Sequence, residues 1–208
     1  MSLSLKKGQT LSLAKKPDGS LRTKVRIGLG WEVLGTPLDL DATVYLCNST
    51  SGAPICENDA NMIFFNQKNG PGDCVVHHGD NRTGAGDGDD EVIDIDFTKV
   101  NQMVPSVNEI LLFVTIFQSD KEGNPLPEDK MDQHFGLMKD AYLKIYDQDS
   151  GTEICNYDLD ATYPDKFAVQ IGSFKKQGDS SWSFDAVGEG FNKNLMSISN
   201  RLRVPSFS

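Results

Sequence analysis

The chain has 208 residues, 38% hydrophobic and 24% charged, a composition that suits one folded domain with a sizeable core and excludes a wholly disordered chain. Twenty basic residues against thirty acidic ones leave a formal charge of −10, which excludes nucleic acid as a natural partner and favours cations. A cytoplasmic location is expected, because residues 1–8 lack the apolar run of a secretory signal and the richest apolar stretch, 110–117, is far short of a membrane-spanning helix.

Residues 1–8 alternate polar and apolar side chains and read as a first strand. Period-two stretches then recur at 24–29, 40–46, 62–65, 74–78, 92–97, 109–117, 141–146, 167–174 and 182–187, separated by turns rich in Gly, Asp, Asn and Pro. They predict an all-β fold, a β-sandwich of two mainly antiparallel sheets with a few short helices. One helix is predicted after Asp96, ending at Pro105, and another within 192–202. Residues 119–134 carry two prolines, a glycine and seven charged side chains and read as an exposed loop. The expected organisation is a single domain over 1–191, then a short helix and a frayed tail over 192–208.

Cys47, Cys56, Cys74 and Cys155 show no CxxC spacing and read as buried or half-buried free thiols. In a strand, Cys74 and His78 would share one face while His77 pointed to the other, so the three do not converge on a metal. No nucleophile, base and orienting residue stand together, and no enzymatic activity is expected. The glycine-rich Gly84-Ala85-Gly86 lacks the Lys-Ser/Thr of a phosphate loop and is followed by acids that repel phosphate.

Acidic character is concentrated. Between Asp80 and Asp96 stand seven carboxylates and one base, Arg82, interspersed with glycines that let the backbone turn tightly. Two carboxylates about 4 Å apart repel by roughly 4 kcal/mol at an effective dielectric near 20, and a divalent ion reverses that sign. Upstream, Asp39-Leu40-Asp41 would place both carboxylates on one side of a strand. Oxygen donors of this kind suit Ca2+, whereas Zn2+ prefers nitrogen and sulfur. An EF-hand is excluded by the misplaced glycine and glutamate of Asp87-Gly88-Asp89-Asp90-Glu91. On residues alone, a solvated acidic loop without metal is the alternative.

The ordered motifs resemble the TerD family of tellurium-resistance and stress proteins. They include Ser2-Leu3-Ser4-Leu5-Lys6-Lys7-Gly8, Gly28-Leu29-Gly30-Trp31, Asp39-Leu40-Asp41-Ala42, Ile63-Phe64-Phe65-Asn66 and Gly79-Asp80-Asn81-Arg82-Thr83-Gly84. Gly88-Asp89-Asp90-Glu91, Phe113-Val114-Thr115-Ile116 and Trp182-Ser183-Phe184 follow in register. The resemblance implies a β-sandwich holding calcium in acidic loops, with Asp39, Asp41, Asn66, Asp80, Asn81, Asp89, Asp90 and Glu91 as the corresponding ligands. It also implies a role in resistance to tellurite and other stress; for a calcium-responsive binding module, the expected partners are other proteins of such a system, with peripheral contact with a membrane as a further expectation. Where the family commonly has acidic residues, this chain has Pro37 and Gln118, and its 119–134 loop is longer. A metal-dependent enzyme acting on a phosphate or oxyanion, or a metal-free scaffold, are the competing readings.

Overall fold

A computed structural model describes residues 3–4, 7–13, 15–16, 18–35, 37–84, 88–159, 162–178 and 180–207. Its strands are β1 (Leu3–Ser4), β2 (Thr10–Ser12), β3 (Lys24–Val33), β4 (Asp39–Cys47), β5 (Met62–Ile63) and β6 (Val75–His77). They continue with β7 (Glu91–Asp96), β8 (Glu109–Phe117), β9 (Met138–Asp147), β10 (Glu153–Asp158), β11 (Ala168–Lys176) and β12 (Trp182–Phe191). Two short helices, α1 (Phe97–Met103) and α2 (Leu195–Arg201), complete the regular structure.

The strands form two six-stranded sheets, ordered β1-β10-β9-β3-β7-β6 and β2-β12-β11-β8-β4-β5. Every pairing is antiparallel except that of β1 with β10. The alternation in the sequence accounts for the layers. Val25, Ile27, Leu29 and Trp31 of β3 face Leu40, Val44, Leu46, Ile110, Leu112 and Val114 of the opposite sheet in one buried core. Strand β10 was not among the expected period-two stretches, and β5 is shorter than the predicted 62–65, because a bridge between Phe64 and Gln67 turns the chain there. Of the predicted first strand, only Leu3–Ser4 is described as β, and residues 1, 2, 5 and 6 lie outside the described residues.

Strand β7 stops at Asp96 because that side chain caps α1, accepting from Thr98 N–H at 3.0 Å and Lys99 N–H at 3.1 Å. Phe97 then closes one end of the sandwich, its ring stacked on Trp182 with centroids 5.2 Å apart. Among the described residues, no helix is long and apolar enough to cross a membrane.

The far end of the chain differs from the frayed tail expected for 203–208. Ile198, Leu202 and Val204 are buried against Tyr45, Met62, Leu111 and Phe113 on the outer face of the second sheet. Residues Pro205–Phe207 form a further 3-10 turn, fixed by a 2.7 Å bond from Ser206 N–H to Asp59. The sequence disguises this docking because 203–208 is short and polar, while its two apolar anchors fit a surface built from distant strands. Val204→Ala is therefore expected to cost about 1–3 kcal/mol in urea denaturation with the denaturant slope unchanged, whereas a frayed tail would give no measurable loss.

Candidate metal centre

Strand β5 pairs only with Val44 and Tyr45, so the preceding part of β4 has an edge without a strand partner among the described residues. Glu91, the first residue of β7 in the opposite sheet, reaches across the mouth of the sandwich to that edge and accepts from Ala42 N–H at 2.8 Å. Beside it, Asp39, Asp41 and Asp80 each present one carboxylate oxygen within 4.8 Å of the others. Asp41 and Glu91 are 2% and 1% exposed, Asp39 is half-buried, and Asp80 is open to solvent.

Three carboxylates thus converge, with the charge of Glu91 also acting on Asp41, beside Arg82, a largely exposed side chain with its Nε 3.4 Å from Asp39 Oδ2. Asp39 Oδ1 and Glu91 Oε1 are both buried without a hydrogen-bond partner, an arrangement that costs free energy unless something supplies positive charge. Burial pushes the Asp41 carboxyl well above the usual aspartate value, and the charges of Glu91, Asp39 and Asp80 push it further. Burial also raises Asp39, with Asp80 adding to the effect and Arg82 opposing it. Glu91 is raised by burial against the restraining influence of His77 and the Ala42 amide.

His77 was not among the expected site residues. Gly79 N–H donates to its Nδ1 at 3.2 Å, which assigns the ring proton to Nε2, and that nitrogen lies 3.6 Å from Glu91 Oε2. The predicted face pattern for 74–78 is also corrected: Cys74 and His77 are both buried and His78 is exposed. Cys74 ends a 3-10 turn in helical backbone conformation before β6 begins, so strand alternation does not extend to it.

Of the other expected ligands, Asn81, Asp89 and Asp90 are already engaged in hydrogen bonds. Asp90 accepts from Trp31 N–H at 2.9 Å and from the Asn81 amide at 2.7 Å. The Asn81 oxygen in turn accepts from the N–H groups of Thr83 and Gly84 at 3.1 and 3.2 Å, so this pair shapes the loop. Gly84 turns there at φ +62°, and a Cβ would meet Trp31. Asp89 lies on the outer face of the first sheet, over Gly28, where it accepts from Tyr142 and Tyr146 hydroxyls at 3.2 and 3.3 Å. Asn66 is exposed in the turn after β5. Asp87 lies outside the described residues. Gln118, at the position where an acid was expected, is spent on the 119–134 loop: it accepts from Asp132 and Gln133 N–H and donates to Gln133 O, all within 3.0 Å.

Because the folded-state values of Asp39, Asp41 and Glu91 lie above the unfolded ones, the metal-free fold holds extra protons. Its stability is expected to fall as pH rises from about 3.8 to 4.5, the ordinary Asp and Glu values, through the raised ones. Asp94 acts oppositely and only below that window: burial pushes it up, but Arg26 and His78 bring it down overall. Asp41→Asn should flatten the decline and raise the melting temperature of the metal-free protein at pH 7, by roughly 2–4 °C for each kcal/mol of repulsion relieved, measured by thermal denaturation in chelator.

Comparisons with known proteins agree on the family. The model of the TerD domain matches residues 1–202. The chain is 33% identical over 201 residues to tellurium resistance protein TerD of Serratia marcescens, covering 95% of each. It is 32% identical over 202 residues to general stress protein 16U of Bacillus subtilis, again covering 95% of each. In fold it is similar to the crystal structure of a homologue of telluride resistance protein from Streptomyces coelicolor, with a TM-score of 0.65 at 17% identity over 89% of this chain and 98% of that one. These relatives carry the names of resistance and stress proteins. With a domain match over nearly its whole length, the chain belongs to the TerD family.

Proposed function

We propose that this chain is a calcium-binding, non-enzymatic stress-response protein associated with tellurium resistance, acting as an interaction module whose acidic loops are drawn together by the ion. The observation that carries this reading is the Asp39, Asp41 and Asp80 oxygen cluster backed by the buried, partnerless Glu91 Oε1. All donors are oxygens, which suits a hard cation. Their oxygens all lie within 4.8 Å of one another, inside the span of a calcium coordination sphere with bonds of about 2.3–2.6 Å.

Asp39, Asp41 and Asp80 would hold the ion, with Glu91 placed to lend its free oxygen. Calcium supplies charge that offsets the crowding; Arg82 then no longer has to neutralise Asp39 and can face a partner. The remaining coordination positions call for loop carbonyls and water. The relatives' names support a role in a resistance or stress system, and other proteins of that system are the expected partners.

Calorimetric titration with CaCl2 should show saturable binding, weaker with MgCl2 and abolished in the Asp41→Asn/Asp80→Asn double variant. Silence at millimolar calcium in a folded sample would refute the reading. At a hundredfold excess over Kd, calcium should stabilise the fold by about 2.7 kcal/mol, and a chelator should reverse the accompanying rise in melting temperature.

A further inference from the structure

A second group of reactive side chains lies away from the carboxylates, under the hairpin that follows β4. Asn48 and Ile55 exchange two backbone hydrogen bonds, at 2.9 and 3.0 Å. In an antiparallel pair, the residues next to such a pair stand opposite one another at a non-hydrogen-bonded position, with Cα atoms about 4.5 Å apart. Here those residues are Cys47 and Cys56. A disulfide spans Cα separations of about 4.4–6.8 Å, so the register already meets its requirement.

Both thiols are free and fully buried in the same small cluster, which also holds Tyr45 and Met62. They differ from each other in character. The neighbouring Cys56, whose Sγ–H donates to Asn58 O at 3.6 Å, pushes the Cys47 thiol up, with burial adding to it. The neighbouring Cys47 in turn holds the Cys56 thiol below its usual value, which favours Cys56 as the attacking sulfur. The hairpin tip that joins them, residues 50–53, is exposed. Cys74 and Cys155 belong to the main core, and burial pushes their thiols up to about 11 and about 12.

We propose that Cys47 and Cys56 form a redox modification site that hydrogen peroxide converts to an intrachain disulfide. Cys56, as thiolate, attacks a peroxide oxygen; the O–O bond breaks, and the departing hydroxide takes up a proton to leave as water. The sulfenic acid formed on Cys56 is attacked by Cys47, which gives up its own proton as the S–S bond forms and the S–O bond breaks, releasing a second water. Two thiols and one peroxide give one disulfide and two waters, the two electrons passing from sulfur to oxygen. Cys56 N–H donates to Leu202 O at 2.8 Å, so the closed ring would brace the ledge on which the end of α2 rests.

The site is independent of the calcium reading and is tested on the full chain. Folded protein is treated with hydrogen peroxide, alkylated, denatured and digested with trypsin. The peptide spanning residues 27–68 holds Cys47 and Cys56 and neither of the other cysteines. It is expected to lose two hydrogens, to resist alkylation and to recover on treatment with dithiothreitol, while the peptides carrying Cys74 and Cys155 remain fully alkylated. Cys47→Ser should leave Cys56 to oxidise further to sulfinic acid, and Cys56→Ala should slow oxidation of Cys47; the wild-type digest decides even if either variant fails to fold. Full alkylation of the 27–68 peptide after peroxide, separate sulfinic acids on both cysteines, or equally fast oxidation of Cys74 and Cys155 would each overturn the proposal.

Discussion

The structure turns on like charges held together at the mouth of a sandwich. Asp41 and Glu91 come from different sheets, are almost completely removed from water, and have Asp39 and Asp80 beside them. Coulomb repulsion and desolvation both oppose this, and one exposed arginine at 3.4 Å compensates little of it. The two sheets are otherwise joined by a continuous apolar core, which supplies the stability that this corner gives up.

Neighbouring elements explain how the corner is kept in shape. The short β5 leaves the Ala42 N–H free for Glu91. Asn81 and Asp90 lock the intervening loop to Trp31, whose indole N–H is itself anchored on Leu38 O at 3.0 Å. Gln118 fastens the long loop from the other side. The aspartate cluster is thus positioned by hydrogen bonds made around it, several of them accepted by the Asp90 and Glu91 carboxylates.

Much of this was legible in the sequence, for identifiable reasons. Period-two alternation marked strands such as β7 and β9 because each buries one face against the opposite sheet. Asp39-Leu40-Asp41 announced two carboxylates on one side because Leu40 belongs in the core. Asp89 and Asp90 were misleading, since a run of adjacent acids says nothing about which way each will point; backbone hydrogen bonding takes Asp90 to Trp31, and the space over Gly28 takes Asp89 to the outer face. His77 and the docked tail were illegible because both depend on long-range contacts, with Glu91 in one case and Asp59 and the outer sheet face in the other. The pairing of Cys47 with Cys56 was hidden for the same reason, requiring the register of a hairpin that the spacing alone does not set.

The division of the carboxylate cluster between two sheets bears on the order of assembly. Asp39 and Asp41 sit on a strand of one sheet, Glu91 on a strand of the other, and Asp80 on the loop leading to it. Closing such distant segments carries the chain-entropy cost of non-local contacts, so the donors meet only once the layers have docked. A cation captured there could not act as a nucleus for the nascent chain. It would instead slow the escape from the finished state, lengthening the lifetime of the native protein while leaving its rate of formation almost untouched.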